Sequence, residues 1–152
     1  MSEKGWRPPK WMYRNRRPSN DKAYFENMIR VIFQAGLSWK MIDEKWPNFQ
    51  KAFKNFSIDQ VARFTEKDVK RLMSDKGIVR NRAKIVAAVK NAKHFQSIKK
   101  EHGAFRSFLN GLDKSNDYAS VIKELNERFQ RLGPSSARIF LYTVGEDVKH
   151  IE

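Results

Sequence analysis

The sequence predicts one all-α domain, a compact bundle of helices, and three observations support this. Apolar residues recur at the three- and four-residue spacing of helices, as at Phe25, Met28, Ile29 and Ile32. Capping residues and glycines separate one such segment from the next. The alternating β-branched residues that indicate strands are missing. A chain of 152 residues also suits one domain with a single sizeable core.

Residues 1–18 differ from the rest of the chain and predict an arm, not a helix. Prolines interrupt this segment, and its basic residues are interleaved with Trp6, Trp11 and Tyr13. Such a mixture suits a strand that contacts phosphates and bases together. It is equally typical of a tail whose aromatic rings pack on the domain. We therefore expect an arm at 1–18 and the folded domain at 19–152.

Caps and a proline define the first two predicted helices. The first should begin at one of residues 19–21 and end near residues 35–36, where a glycine follows the apolar stripe. The second should begin at Ser38 and stop at Trp46, because a proline disfavours helical geometry in the residue before it. Pro47 then suits the first turn of the next helix.

Capping boxes predict that short helices begin at Ser57 and at Thr65. Residues 79–98 carry apolar residues at helical spacing among basic ones, which predicts one long basic amphipathic helix. The remaining helices are expected at 104–109, 118–129 and 135–144.

The balance of charge points to a polyanionic partner. The chain has 31 Lys and Arg against 17 Asp and Glu, a formal net charge of +14, and such a charge attracts nucleic acid first of all. No run of about 18 apolar residues is present, and nothing resembles the apolar segment of a signal peptide. We expect a cytoplasmic monomer that binds nucleic acid and not a membrane.

The chain contains no cysteine, which excludes disulfides, thiolate zinc sites, iron–sulfur clusters and cysteine nucleophiles. His94, His102 and His150 lie far apart in the sequence, and none pairs with another at the spacing of helical metal ligands. We expect no metal and no cofactor. Any catalysis must then use carboxylates or bound water.

A hairpin of helices near the C-terminus is the first candidate for a phosphate site. Residues 125–145 predict helix, tight turn and helix. A turn at Gly133 that opens a helix leaves backbone N–H groups unpaired, and these with the helix dipole hold a phosphate without reading sequence. Ser135, Ser136 and Arg138 add donors. The alternative is an ordinary packed corner between two helices.

A second basic segment favours the phosphate interpretation of that hairpin. Residues 77–85 also lead from a turn into a helix, and they carry Arg80, Arg82 and Lys84. We expect these three side chains to contact phosphates, with binding that falls steeply as salt rises.

Two blocks of this sequence resemble the 3-methyladenine DNA glycosylase I family. They are Gln34-Ala35-Gly36-Leu37-Ser38-Trp39 and, at the family's spacing, residues 77–85, and the likeness extends from about Tyr24 to His150. The resemblance implies a helix-hairpin-helix glycosylase fold in which residues 132–138 are the DNA-anchoring hairpin. It also implies that the partner is double-stranded DNA with alkylated bases, from which one damaged purine is flipped, stacked on aromatic side chains and removed.

The resemblance also implies roles for individual residues. Trp39 matches the family's pocket tryptophan, and Gly36 and Leu37 are expected to fill or wedge the gap that the flipped base leaves. Phe33 and Gln34 either line the pocket or support it, and Trp39 without its surrounding block would suit a protein core. The expected base-binding residues are Tyr13, Phe33, Gln34, Ser38 and Trp39. The spacing of four further rings is typical of a packed aromatic core: Trp46, Phe49, Phe53 and Phe56.

The sequence departs from the family's pattern at three places. The glutamate expected seven residues before Leu37 falls near Arg30 and Val31, and neither is acidic. Of the family's zinc ligands only His150 has a counterpart, which implies that zinc is absent. Ser135 occupies the position where bifunctional relatives carry a Schiff-base lysine, which favours monofunctional hydrolysis.

The catalytic carboxylate is therefore left open among Asp43, Glu146 and Asp147, each of which also suits a surface or capping role. Because the carboxylate is not identified, two functions remain open. One is a monofunctional glycosylase that hydrolytically excises an alkylated purine such as 3-methyladenine in base-excision repair. The alternative is a non-catalytic helix-hairpin-helix module that binds damaged or distorted DNA.

Overall fold

A computed structural model describes residues 7–149 of the chain. Within that range it has eight α-helices, one 3₁₀ turn and no strand, which confirms the all-α prediction. No helix in this range is long and apolar enough to cross a lipid bilayer. The elements are α1 (Asp21–Gln34), α2 (Trp39–Ala52), the 3₁₀ turn (Lys54–Phe56), α3 (Ile58–Ala62), α4 (Glu66–Met73), α5 (Arg82–His102), α6 (Phe105–Asn110), α7 (Ser115–Arg128) and α8 (Pro134–Thr143).

Helix α1 lies at the centre of the bundle, packed against α2, α5, α6 and α8. Every residue from Asn27 to Gln34 is buried, as expected of a helix with neighbours on all sides. Asn20, one of the three predicted caps, accepts a hydrogen bond from the Ala23 N–H at 2.9 Å. After the helix, Gly36 adopts φ +78°, a left-handed conformation that favours glycine and turns the chain sharply into α2.

The predicted end of the second helix at Trp46 is wrong. Helix α2 continues from Trp39 to Ala52 with Pro47 inside it. A proline within a helix removes one backbone hydrogen bond and costs about 3 kcal/mol. Trp46 and Phe49, on either side of Pro47, are both buried in the core. Burial contributes about 2 to 3 kcal/mol for each such side chain, so tertiary packing outweighs the local preference.

The other helices begin largely where the sequence predicted. Ser57 accepts a hydrogen bond from the Gln60 N–H, and both bonds of the Thr65 capping box are present. The long basic helix α5 starts later than predicted, at Arg82, because Asn81 caps it by accepting from the Lys84 N–H at 3.1 Å.

The predicted aromatic core is confirmed. Trp46 stacks on Phe49 and Phe56 with ring centroids 4.9 and 5.2 Å apart, and Phe53 is also buried. Phe33 joins this cluster, because its ring lies edge-on to Phe49 at 4.8 Å. Offset and edge-on arrangements of this kind add to the free energy of burial. The cluster fixes α2 against α1 and so positions the side chains of Trp39 and Asp43 on α2.

The arm is not helical over residues 7–18, as predicted, and the structure attaches it to the end of α8. The Tyr13 N–H donates to the Thr143 carbonyl at 2.8 Å, and Met12 is buried. Asn27 of α1 donates from its amide to the carbonyls of Trp11 and Thr143, both at 3.2 Å. One buried amide therefore holds the arm, α1 and α8 together. Residues 1–6, which include Trp6, lie outside the described range.

A buried ion cluster around Glu146 completes this attachment. Glu146 is 1% exposed, and one carboxylate oxygen accepts from Lys114 at 2.8 Å and from the Tyr118 hydroxyl at 2.9 Å. The other oxygen faces Arg17 of the arm at 3.5 Å. Beside it, Gly145 has φ +91°, and a Cβ there would lie 2.1 Å from the Arg16 carbonyl oxygen. Only glycine lets the arm pass this close.

Replacing Glu146 with alanine should destabilise the fold. Arg17 and Lys114 would lose a buried partner, and because both side chains are partly exposed we expect a loss of about 2 kcal/mol, below the usual range for breaking a buried ion pair. Urea unfolding of Glu146→Ala against the parent measures this. Glu124→Ala, which removes a surface pair with Arg128 at 3.1 Å, is the matched control and should cost about 0.5 kcal/mol or less. Equal losses in both variants would contradict the structural role of Glu146.

Candidate functional site

A cavity of about 270 Å³ lies between the arm and α1. It is near the lower end of the range for ligand pockets, about 300 Å³, so it suits one flat ring system better than a whole nucleotide. The arm supplies one wall and the polar face of α1 supplies the other. The lining residues are Trp11, Tyr13, Asn20, Lys22, Ala23, Glu26, Asn27 and Arg30. We call this space the arm pocket.

Arg30 is a buried cation at the inner end of the arm pocket. It is 4% exposed, and its guanidinium lies 4.2 Å from the centre of the Trp11 ring and 4.9 Å from that of Trp46. One terminal nitrogen donates to Asp43 of α2. Its Nε is buried and has no hydrogen-bond partner among the described residues. Burial lowers the pKa of Arg30, and Asp43 opposes that shift; an arginine nevertheless stays charged.

Glu26 is a carboxylate in the wall of the same pocket, one helical turn before Arg30. One oxygen accepts from the Trp46 indole N–H at 2.8 Å and from the Gln50 amide at 3.0 Å, and the other pairs with Lys22 at 3.1 Å. Burial alone would raise the pKa of Glu26. The hydrogen bonds from Gln50 and Trp46 and the charge of Lys22 outweigh burial, and the pKa lies below its ordinary value. Glu26 is therefore ionised at neutral pH.

Trp39 is not a core residue, because the side chain is 42% exposed at the start of α2. Its ring lies 6.4 Å from the ring of Trp11, tilted by 54°, and Trp11 in turn lines the arm pocket. Leu37 is also exposed, directly after Gly36 in the turn. Ser38 caps α2 by accepting from the Met41 N–H at 3.2 Å. The turn thus presents two apolar side chains to solvent beside the pocket.

The structure separates the other expected base-binding residues. Tyr13 lines the arm pocket, with the guanidinium of Arg16 4.3 Å from the centre of its ring. Phe33 instead lies in the aromatic core and does not line the arm pocket, which favours the supporting role of the two that were expected. Gln34 is buried as well, and its side-chain oxygen has no partner among the described residues. Neither side chain lines the arm pocket.

None of the three carboxylates proposed from the sequence lines the arm pocket. Glu146 is enclosed by its ion cluster and is a structural residue, which corrects its candidacy for activating water. Asp43 is 65% exposed and pairs with Arg30. Asp147 is exposed, and its backbone N–H donates to the Tyr118 hydroxyl at 3.1 Å.

A second concave surface lies between the start of α5 and the turn before α8. This groove has a volume of about 530 Å³ and is walled by the cationic side chains of Arg82, Lys90 and Arg131 with small apolar residues between them. Arg131 has φ +57° at the turn. A row of cations along an open groove suits the phosphates of a nucleic-acid backbone. We call this surface the basic groove.

Asn91 fixes the geometry of the basic groove. It is fully buried on α5, its amide nitrogen donates to the Gln130 carbonyl at 3.1 Å, and its amide oxygen accepts from the Gln130 N–H at 2.8 Å. Asn126 also donates to the Leu132 carbonyl at 3.2 Å. The turn before α8 is thus held rigidly to α5, and the cations of both elements keep their spacing.

The predicted hairpin is present as α7, a turn and α8. Gly133 caps α8 in extended geometry, Pro134 is the first helical residue, and the side chains of Ser135 and Ser136 lie at the helix start. Arg138 lies further along, and it donates to Asp117 at 2.7 Å and to the Lys149 carbonyl at 3.2 Å. Arg138 therefore braces the fold, whereas the first turn of α8 keeps the geometry that suits a phosphate.

Lys84 does not fit its predicted role as a phosphate contact. It is 6% exposed, and its ammonium donates to the carbonyls of Phe33 and Ala35 at 3.2 and 2.8 Å. It joins α5 to the end of α1, directly behind the Gly36 turn. Arg80 is exposed, and Arg82 is exposed but pairs with Glu66 at 2.6 Å. A phosphate at Arg82 would compete with that carboxylate.

The described residues do not fit a metal site. Among residues 7–149 no three His, Asp or Glu side chains come together as metal ligands. His150 lies outside this range. The chain also has no cysteine, so the cysteine ligands of the zinc site that the resemblance implied are missing.

The sequence interpretation did not identify several charged and aromatic residues of these two surfaces as site residues: Trp11, Glu26, Arg30, Lys90 and Arg131. Glu26 and Arg30 were passed over because they lie on a helix that also carries the core, and their four-residue spacing on one face was the available signal. Trp11 was assigned to the arm, but the sequence did not indicate which part of the domain it contacts. Lys90 and Arg131 are distant in sequence, and only the contact of α5 with the turn brings them together.

A model of the methyladenine glycosylase family matches residues 10–139 of the chain. Among curated proteins, DNA-3-methyladenine glycosylase 1 of Escherichia coli K12 is 35% identical over 91 residues, which cover 60% of this chain and 49% of that protein. The DNA-3-methyladenine glycosylase of Haemophilus influenzae is 33% identical over 90 residues, covering 59% and 49%. The chain thus spans about half the length of the curated relatives it matches.

Solved structures of the same kind share the fold. A structure of 3-methyladenine DNA glycosylase I from Staphylococcus aureus superposes with a TM-score of 0.75 at 30% identity, covering 86% of this chain and 79% of that one. A second glycosylase I structure, in complex with 3-methyladenine, gives a TM-score of 0.76 at 30% identity over 88% and 81%.

Glu26 should contribute to stability in a pH-dependent way. Its pKa is lower in the folded protein than the ordinary value of 4.5, so its contribution is complete above about pH 4.5 and is lost as pH falls through the folded pKa. Glu26→Gln should therefore flatten the acid side of a plot of unfolding free energy against pH. Denaturant melts between pH 3 and 7 measure this. Glu44→Gln, at an exposed site of α2, is the control and should leave that slope unchanged.

Proposed function

Because the chain belongs to the methyladenine glycosylase family, we propose that it is a monofunctional DNA glycosylase. It flips an alkylated purine, such as 3-methyladenine, out of double-stranded DNA and hydrolyses its N-glycosidic bond in base-excision repair. We propose that it acts as a monomer in the cytoplasm, with its arm (residues 1–18) contributing to the site of the folded domain (residues 19–152).

The observation that supports this function most is the arm pocket beside the exposed turn of Leu37 and Trp39. A flipped base needs an aromatic-walled space of single-base size next to a surface that contacts the duplex. The arm pocket has that size and has Trp11 as its wall. Leu37 projects from a turn whose backbone Lys84 ties to α5, so we propose that it fills the gap in the base stack. We propose that Trp39, whose exposed ring lies 6.4 Å from that of Trp11, contacts the flipped base.

In this proposal the basic groove and the first turn of α8 bind the DNA backbone. Lys90 and Arg131 neutralise phosphates of the backbone, and the N–H groups of Ser135 and Ser136 donate to a phosphate oxygen without reading sequence. Because Asn91 holds the turn to α5, this binding surface is already formed in the absence of DNA.

Catalysis requires little beyond positioning and charge. Glu26 is an ionised carboxylate in the pocket wall, and we propose that its negative charge stabilises the positive charge that develops on the sugar as the glycosidic bond breaks. Water then adds to the sugar carbon. We propose hydrolysis without a covalent Schiff base, because Ser135 occupies the hairpin position where bifunctional relatives carry the lysine that forms one.

One observation favours the alternative, a non-catalytic module that binds damaged or distorted DNA. Both oxygens of Glu26 are already engaged, by Lys22 on one side and by Trp46 and Gln50 on the other. Among residues 7–149, no other carboxylate lines the arm pocket. A protein with this arrangement could hold a flipped base without cutting its bond.

Base release from methylated DNA distinguishes a glycosylase from a non-catalytic DNA-binding module. Incubation of the protein with methylated duplex should release 3-methyladenine or another alkylated purine above a heat-depurination control, measured by chromatography of the free bases. Trp39→Ala should fold normally, since the side chain lies outside the core, and should bind undamaged duplex like the parent but lose its preference for damage. Trp39→Phe, which keeps a ring, is the matched control. Retained binding of damaged duplex with no release would favour the module.

Neutralising the basic groove should weaken binding to every DNA sequence. Lys90→Gln and Arg131→Asn each remove one cation, and asparagine tolerates the positive φ at residue 131. Each change should reduce the slope of log binding constant against log salt by about 1, the loss of one phosphate contact. Lys123→Gln, an exposed lysine of α7 that does not line the groove, is the control. An unchanged slope in both groove variants would contradict this DNA-binding surface.

A further inference from the structure

The two oxygens of Glu26 in the arm pocket are held in different ways. One oxygen accepts from the Trp46 indole N–H at 2.8 Å and from the Gln50 amide at 3.0 Å. Trp46 is buried in the core, so this side of the carboxylate is fixed. Among residues 7–149, the partner of the other oxygen is the Lys22 ammonium, at 3.1 Å. Glu26 therefore has one side that is locked and one side whose partner is able to leave.

The ion pair between Lys22 and Glu26 is weak. The Lys22 side chain is 43% exposed, and exposed pairs of this kind contribute little because the long side chain must be held in one geometry. The lysine also precedes the glutamate on the helix, which is the less favourable of the two orders. Both side chains line the arm pocket. Movement of Lys22 into solvent therefore costs little and opens a carboxylate oxygen to the cavity.

The group that replaces Lys22 at Glu26 should carry a positive charge. A partly buried carboxylate that loses its counterion is destabilised, and an uncharged base offers it only a neutral N–H donor. A charge-assisted hydrogen bond is roughly twice as strong as a neutral one. An adenine methylated at a ring nitrogen is cationic in DNA and shares its charge with its amino group, so it supplies both. Arg30 has its own counterion in Asp43, which leaves the charge of Glu26 available to the ligand.

We propose that Lys22 is an exchangeable counterion of Glu26, and that a cationic alkylated purine takes its place on entering the arm pocket, an assignment that rests on the glycosylase function proposed above. In the empty pocket Lys22 keeps the carboxylate ionised and compensated. When the base enters, the ammonium moves into solvent and the charged amino group of the purine bonds to the released oxygen. The engagement of both Glu26 oxygens in the free protein is then a resting state that the ligand resolves. Glu26 detects the charge of the purine, and Lys22 stands in for it.

Two small compounds that differ in charge but not in shape test the exchange. 3,9-Dimethyladeninium is a permanent cation with a methyl group where the sugar would be attached, so it has no glycosidic bond to cleave. Its 3-deaza analogue has carbon in place of N3 and is uncharged. Titration of each compound at neutral pH is followed by the indole N–H signals in NMR spectra, because Trp11 lines the cavity and Trp46 donates to Glu26.

The exchange predicts opposite effects for the two members of the ion pair. The parent should bind the cation about fivefold or more tightly than the uncharged analogue. Glu26→Gln should reduce that ratio to about 2 or less, because the charged acceptor is gone. Lys22→Met should bind the cation about two- to fivefold more tightly than the parent, because the competing ammonium is gone. A pair with only a structural role would lose binding in both variants.

Lys93→Met is the matched control for Lys22→Met. Lys93 is an exposed lysine of α5 that does not line the arm pocket. The change removes the same charge from the chain, so it separates a local exchange at Glu26 from a general loss of positive charge. Both affinities should stay at the parent's values. Thermal melts establish that each variant is folded, and if Glu26→Gln fails to fold, Lys22→Met decides alone.

The outcomes separate this exchange from the glycosylase function. Equal affinity for the two compounds, absence of binding by both, or cation binding that is unchanged or weakened in Lys22→Met would overturn the exchange. Release of alkylated bases from methylated duplex is measured on the same preparations. Exchange without release would overturn the glycosylase function and leave the role of Lys22 standing. Release by a protein that binds the two compounds equally would overturn the exchange alone.

Discussion

The attachment of the arm to the end of α8 is the constraint on which the candidate site depends. The arm pocket has a wall only because residues 11–13 run beside α1, and they do so because Tyr13 bonds to Thr143 and Asn27 bonds to both segments. Gly145 allows the backbones to approach, and the Glu146 cluster provides charge compensation where Arg17 arrives. Chain segments from opposite ends of the described range thus close one small cavity on the central helix.

Electrostatics in this protein work on two scales. Over the whole chain a net charge of +14 attracts polyanions at long range, and salt weakens this attraction. Inside the arm pocket the charges are paired, Arg30 with Asp43 and Glu26 with Lys22. Paired charges held by hydrogen bonds are oriented before a ligand enters, so they discriminate between ligands more than they add affinity.

Two buried polar side chains hold the basic groove and the Gly36 turn rigidly in place. Asn91 holds the turn before α8 to α5, and Lys84 holds α5 to the end of α1. Each forms hydrogen bonds with backbone groups that have no partner in a helix because the helix ends or the chain turns there. Through these bonds the basic groove and the Gly36 turn are connected by α5, which spans both. Lys84 therefore positions the Gly36 turn from inside the fold, and it is not exposed to contact phosphate.

Local chemistry was sufficient to predict the all-α class, the caps at Ser57 and Thr65, and the aromatic core around Trp46, because each depends on residues close in sequence. The two signature blocks were sufficient to indicate the family. Tertiary packing alone decided that α2 continues through Pro47, since only the burial of Trp46 and Phe49 offsets the lost hydrogen bond. It likewise decided that Lys84 and Glu146 are internal, and that Trp11, Glu26 and Arg30 share one cavity. Burial and the meeting of distant segments are properties of the folded chain, and spacing along the sequence does not contain them.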